Sequence, residues 1–173
     1  MIIGIGGVSR SGKTSLAILI ENILEKKGES TIVLSQDNYV FPESEIPKIK
    51  HRVDWELPES IDFQRFKDDI LLKSKVFQHV ITEGLFDFYD AEITTLFDIK
   101  FFIQIHKNTF LKRKAADKRW GFEPKWFIEH IWKSYLKYGR TILDNVEVDV
   151  LVLSGEHNFD EQLVARFLGI LLL

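Results

Sequence analysis

The sequence predicts an α/β fold in three layers, with helices on both faces of a five-stranded, mainly parallel sheet. Three observations predict it. Short β-branched and apolar runs alternate with longer stretches of helical spacing. The first run, residues 1–5, leads through a glycine-containing segment into a helical pattern over 15–27. The connections are short, except for one stretch at 36–60 that breaks the alternation.

Residues 30–34 (S-T-I-V-L) form the second predicted strand. Residues 77–82 form the third, ending at Glu83-Gly84, and 99–105 (I-K-F-F-I-Q-I) form the fourth. Residues 148–153 (V-D-V-L-V-L) form the fifth. Helical patterns lie at 62–72, 108–118, 124–144 and 160–171. The long connection carries Pro42, Pro47 and Pro58, several aromatics and many charges, and connections of that length are usually functional or disordered.

At 173 residues the chain is read as one domain spanning 1–173. Hydrophobic content of 45% with 28% charged residues fits an ordinary globular protein. With no cysteine, disulfides, thiolate chemistry and cysteine-bound zinc are excluded. The start has no basic segment followed by a long apolar run, and the apolar end, 167–173, is far shorter than the roughly 20 residues that cross a bilayer. A cytoplasmic protein without membrane partners is expected, with 167–173 the buried end of a last helix or a dimer contact. Residues 107–119 hold six basic side chains and one acid within a chain of net charge −3. A compact basic segment on an acidic body suits a small polyanion better than a nucleic acid; most of its lysines are read as a solvated helix face.

Residues 7–14, G-V-S-R-S-G-K-T, fit G-x-x-x-x-G-K-[ST] between a strand and a helix. Main-chain N–H groups there converge on phosphates, and the helix dipole adds positive charge. Gly7, Ser9, Arg10, Ser11, Gly12, Lys13, Thr14 and Ser15 are the expected phosphate contacts. Lys13 is expected to reach the β- and γ-phosphates, and the Thr14 hydroxyl to bind Mg²⁺. The fold is accordingly of the P-loop NTPase type, with ATP and Mg²⁺ as the expected cofactors.

Three further places narrow the chemistry. Asp37 directly follows the second strand; it can accept a proton from an attacking hydroxyl, hold Mg²⁺ through water, or simply cap a turn. Glu83 ends the third strand, where a carboxylate organises magnesium beside a P-loop, or serves as a turn residue. Trp55 and Glu56 pair a flat ring with an acid, suited to stacking on a planar base and holding sugar hydroxyls; Trp55 as ordinary core is equally open.

The segment G-x-S-x-S-G-K-T-S-L-A at 7–17 resembles the uridine kinase and nicotinamide riboside kinase family of P-loop kinases. Q-D-N-Y at 36–39 with P-E-S-E-I at 42–46 is similar to the riboside kinase version. W-E-L-P-E-S-I-D at 55–62 resembles the family's aromatic–Asp–x–Pro segment, and I-T-E-G at 81–84 its I-x-E-G strand end. His130-Ile131-Trp132 with Tyr135-Leu136-Lys137-Tyr138 is similar to H-V-W-x-x-Y-L-K-Y. The resemblance implies that Asp37 is the base for a ribose 5′-hydroxyl and that Thr14 and Glu83 organise Mg²⁺. It implies that Tyr39, Trp55 and Glu56 meet the nucleoside within an insertion at about 37–60. It casts about 107–122 as a helical lid carrying Arg113 and Arg119. Glu56 departs from the family's Asp, and the lid spacing differs by about a residue.

The function expected is ATP-dependent phosphorylation of a nucleoside or riboside by a monomer or homodimer. The alternatives are a kinase of another small-molecule hydroxyl and a non-catalytic nucleotide-binding module. The guanine motif N-K-x-D and the D-x-x-G turn of GTPases are absent.

Overall fold

The computed structural model describes residues 1–119, 121, 123–145 and 148–170. Strand β1 (Ile2–Gly7) leads into α1 (Lys13–Glu25), and β2 (Thr31–Ser35) into a 3₁₀ turn, Gln36–Tyr39. The long connection holds a two-residue hairpin, β3 (Lys48–Ile49) with β4 (Arg52–Val53), and a 3₁₀ turn, Pro58–Ser60. Then come α2 (Phe63–Lys73), β5 (His79–Gly84), α3 (Ala91–Leu96), β6 (Ile99–Gln104) and α4 (Lys107–Ala116). Helix α5 (Lys125–Ser134) continues as a π-helical turn, Tyr135–Gly139, and a 3₁₀ turn, Thr141–Asp144; β7 (Leu151–Ser154) and α6 (Glu161–Phe167) complete the chain.

The main sheet runs β2-β5-β1-β6-β7, and all four neighbouring pairs are parallel, so the expected mainly parallel sheet is wholly parallel. β1 lies at its centre. The loop leaving β1 therefore emerges mid-sheet at the carboxyl edge, where ligands bind in sheets of this kind.

The two faces follow from strand alternation. Ile3 and Ile5 point to one side, with Ile81, Phe101 and Ile103, and are covered by Leu16, Ile20 and Leu24 of α1 and Val164 of α6. On the opposite face β1 presents Ile2, Gly4 and Gly6. A methyl on Gly4 would stand 2.7 Å from the Phe97 ring, and one on Gly6 2.6 Å from Phe88. These rings, with Phe102, Phe66 and Ile70, fill the second core. Asp62, Asp90 and Asp160 cap α2, α3 and α6 by accepting backbone N–H bonds.

Several expectations shift. The helix expected at 124–144 widens into the π turn, which lets Tyr135 stack on Phe102 and Tyr138 meet Phe86 edge-on. The helix expected at 160–171 stops at Phe167, with Gly169 in the left-handed region (φ 71°). Residues 168 and 170 are buried, and 171–173 lie outside the described residues, as do 120 and 122 of the expected lid. Helix α3 was not anticipated; Thr94 and Thr95 return their hydroxyls to the Asp90 and Glu92 carbonyls, which keeps β-branched residues in a short helix.

Candidate active site

The glycine segment closes as its spacing requires. Gly7 (φ 149°) and Gly12 (φ 110°) take the conformations that glycine permits, and Arg10 sits at φ 64° between them. Ser11 N–H donates to the Val8 carbonyl at 3.1 Å, folding the loop over the end of β1. Gly12 precedes α1 with no side-chain cap, and the first turn carries no acid, so the helix N-terminus is open to an anion. The Ser11 hydroxyl is fully buried without a hydrogen-bond partner, and Lys13 Nζ rests on the Val8 carbonyl at 3.2 Å. An orphaned donor and a cation held only by a backbone oxygen fit a triphosphate in this cradle.

Register brings the neighbouring strand ends together. Ile5 pairs with Glu83, and Glu83 with Ser35. Glu83 Oε1 accepts the Ser35 hydroxyl at 2.9 Å and the Thr14 hydroxyl at 3.3 Å. Among the described residues no three His, Cys, Asp or Glu side chains form a metal cage. Mg²⁺ does not need one, since it is commonly held by one or two protein oxygens together with substrate phosphates. A carboxylate and a hydroxyl beside the phosphate cradle fit that description. Ser35 is a participant that the sequence reading missed; the β2–β5 register is the signal that finds it.

A second buried carboxyl lies close by. Asp87 Oδ2 accepts the Ile5 N–H at 2.9 Å and the Thr82 hydroxyl at 2.7 Å, while Oδ1 has no partner. Burial pushes it up to about 8, opposed by these two hydrogen bonds and by Lys13, and assisted by Glu83. Gln36 fixes the following loop: its Oε1 accepts the Phe86 N–H at 2.9 Å, and a methyl on Gly84 would meet Gln36 at 2.4 Å.

Asp37 is exposed at the start of the 3₁₀ turn that follows β2. Glu56 feels the charges of Lys114, Asp54, Glu123 and Asp37, and burial pushes its carboxyl up to about 7. Its main chain is fixed on both sides: Glu56 N–H donates to Asp54 Oδ1 at 3.2 Å, and its carbonyl accepts the Ser134 hydroxyl. Asp54 is itself buried, at 2.8 Å from His130 Nε2. Trp55 is 37% exposed and, among the described residues, makes no ring contact of the kind that binds Trp126 and Trp132 to other aromatics. Tyr39 is buried in the 3₁₀ turn after β2. Its ring packs on Phe66, and its hydroxyl donates to Asp69 Oδ2 at 2.5 Å, which together with burial raises its pKa.

In the basic segment Arg113 donates to the carbonyls of Arg10 (3.1 Å) and Glu156 (3.3 Å), tying α4 to the glycine loop and to the turn after β7. Arg119 is held by Asp117, at 2.7 Å from Nη2 to Oδ2, and Asp117 also faces Arg10 at 3.8 Å. Lys107, Lys112 and Lys118 are exposed, as expected for most of the segment's lysines; Lys114 is the exception, 5% exposed and paired with Glu123 at 3.0 Å. Beyond β7, Gly155 packs on the Ser11 carbonyl so closely that a methyl would stand 2.2 Å from it.

No family model matches the chain. Nicotinamide riboside kinase 1 of Homo sapiens is 28% identical, over 89% of this chain and 83% of its own length. A uridine kinase of Chlamydia pneumoniae is 29% identical, over 67% of this chain and 63% of its own. Among solved structures, a possible uridine kinase from Bacillus stearothermophilus superposes with a TM-score of 0.58 at 17% identity, covering 88% of each chain. A putative fructose transport system kinase from a Silicibacter species gives 0.63 at 14% identity, over 88% of this chain and 89% of its own. These two show the fold alone. By sequence the chain is similar, at low identity, to nicotinamide riboside kinases and uridine kinases, and its fold matches that of the uridine kinase-like structure.

Proposed function

We propose that this protein phosphorylates the 5′-hydroxyl of a nucleoside or riboside, taking the γ-phosphate of ATP. The observation that supports the reading is the Thr14–Glu83–Ser35 network at the start of α1, with Asp37 two residues beyond Ser35 and the charges of Asp37 and Asp54 acting on Glu56. The network suits a phosphate donor and the carboxylates a hydroxyl acceptor. The amides of residues 11–15 and the Lys13 ammonium bind and orient the triphosphate. Thr14 and Glu83 would hold Mg²⁺, which when bound neutralises charge on the phosphate oxygens. Asp37, exposed at the rim, accepts the proton from the attacking 5′-oxygen. Glu56 takes ribose hydroxyls as an acceptor of their hydrogen bonds, and Trp55 offers an open ring face to the base. Arg113 and Arg119 exchange their present partners for the transferring phosphate as the segment closes.

The charge around the acceptor favours a particular kind of base. Asp37, Asp54, Glu56 and Glu123 outnumber Lys114 and Arg119 there, so a cationic pyridinium ring is favoured over a neutral pyrimidine. A kinase of a sugar or other small hydroxyl compound, as the structural likeness to a putative fructose transport system kinase raises, needs no aromatic ring at the mouth of the site. Trp55→Ala separates the two, since only the riboside reading expects a tenfold or greater rise in riboside KM. The general test is ADP release from Mg·ATP across a panel of ribosides and sugars. Turnover that depends on a riboside is expected; ADP release indifferent to every riboside refutes the reading.

A further inference from the structure

Alternate residues of 50–56 step along one side of α5. Lys50 Nζ lies 4.1 Å from the centre of the Trp126 ring, and the Arg52 guanidinium 5.1 Å from that of Phe127. Asp54, buried, takes His130 Nε2 between its two oxygens at 2.8 and 2.9 Å. A carboxylate only accepts, so Nε2 carries the proton of this bond. Ser134, one helical turn further on and also buried, donates its hydroxyl to the Glu56 carbonyl. Beyond Val53 the segment leaves the β3–β4 hairpin, and its main chain must find other partners. Asp54 Oδ1 accepts the Glu56 N–H at 3.2 Å, and the Ser60 hydroxyl donates to the Trp55 carbonyl at 3.1 Å. Trp55 thus stands between two residues fixed to α5 and is itself left exposed. A buried carboxylate is a poor choice for mere attachment, since apolar contacts hold a loop without its cost of desolvation. What the hydrogen bonds add is a fixed direction for the main chain.

We propose that His130 and Ser134 are positioning residues of the acceptor site: through Asp54 and the Glu56 carbonyl they make α5 the template on which Trp55 and Glu56 are set. This rests on the riboside reading only for what Trp55 and Glu56 meet; the hold of α5 on the two residues is independent of it. Without His130 the Asp54 carboxylate loses its anchor and with it the Glu56 N–H loses a fixed acceptor. Residues 55 and 56 then sample many arrangements, and an acceptor must order them as it binds, which weakens its affinity and leaves that of ATP alone.

The test combines amide hydrogen exchange of the full ¹⁵N-labelled chain with turnover assays on nicotinamide riboside and uridine. His130→Asn keeps a polar side chain too short to reach Asp54; it should speed exchange of the Glu56 N–H about tenfold or more and leave the amides of β1 and β6 unchanged. The same variant should raise the KM for the acceptor about tenfold and leave the KM for ATP within about twofold. His130→Gln, whose amide nitrogen can take roughly the place of Nε2, should recover most of both losses. Ser134→Ala removes only a hydroxyl and should act in the same direction as His130→Asn; it carries the test if the histidine variant fails to fold. A pair that served stability alone would speed exchange in β1 and β6 as well and raise both KM values together. Unchanged Glu56 exchange in both variants, or acceptor and ATP KM values rising alike, overturns the proposal. Glu56 exchange quickened locally, in a protein whose parent chain turns over neither acceptor, instead overturns the riboside reading and leaves the hold of α5 on residues 55 and 56 standing.

Discussion

Asp37 lies just beyond β2 and Glu83 near the end of β5, yet the fold treats them differently. Glu83 is 7% exposed and takes two hydroxyl hydrogen bonds, whereas Asp37 is exposed. A base must reach a mobile hydroxyl, while a carboxylate that helps to hold a cation must be fixed. On this account Asp37→Asn keeps ATP affinity, measured by titration calorimetry, while transfer falls by about 10²–10⁴-fold, the usual contribution of a general base. Near-normal transfer would remove Asp37 from the mechanism. Asp87 gives a prediction for stability. Its folded pKa, about 8, stands above its ordinary value of 3.8, so the folded state holds a proton that the unfolded chain has released between those values. Stability is therefore fully present below about pH 4 and is lost as pH rises through about 8, with a slope of up to ~1.4 kcal/mol per pH unit. Denaturant midpoints at pH 5 and pH 8 should differ less in Asp87→Asn than in the parent chain. An equal pH dependence in both would show that Asp87 is not the group responsible.

At the level of elements, the loop after β7 packs directly on the glycine loop, so in the proposed function it supports the nucleotide site. Gly155 sits where a methyl would stand 2.2 Å from the Ser11 carbonyl, and backbone cannot yield as the tip of a side chain can. Gly155→Ala should therefore cost about 1–3 kcal/mol of stability and weaken Mg·ATP binding together. Loss of stability with unchanged ATP affinity would contradict the coupling. The glycine loop was legible from spacing because glycines at fixed offsets before a helix have few other uses, and Glu83 was legible as a carboxylate ending an apolar strand. The six-residue α3 was not legible, being too short and too rich in threonine for a helical period. Lys114, the exception among the lysines of the basic segment, was not singled out because a run of basic residues gives no sign of which one turns inward. Only the position of Phe110, four residues earlier on the same helix, hints at it. Tyr39, within a segment that resembles the family's, turned to Asp69 because α2 offers a carboxylate against the Phe66 ring.

Across the whole molecule, the wholly parallel sheet sends the ends of β1, β2, β5 and β7 to one edge, and the segments that follow them carry Lys13, Asp37, Asp87 and Gly155. The alternation of strand-like and helical runs made the layered parallel sheet legible, but the order β2-β5-β1-β6-β7 depends on contacts between distant segments that periodicity does not encode. Among the described residues no helix is long and apolar enough to cross a membrane. A ligand that binds only the folded form raises its stability, by about 2.7 kcal/mol at a hundredfold excess over Kd, so Mg·ATP should raise Tm visibly. The Thr14→Ala/Glu83→Gln variant should lose most of the magnesium-dependent part of that rise. The account as a whole stands on transfer to a primary ribose hydroxyl. Proton-coupled ³¹P NMR of the product formed from Mg·ATP and a riboside reads this directly. A monoester signal split into a triplet by two equivalent C5′ protons is expected; inorganic phosphate alone, or a doublet from a secondary hydroxyl, would contradict it.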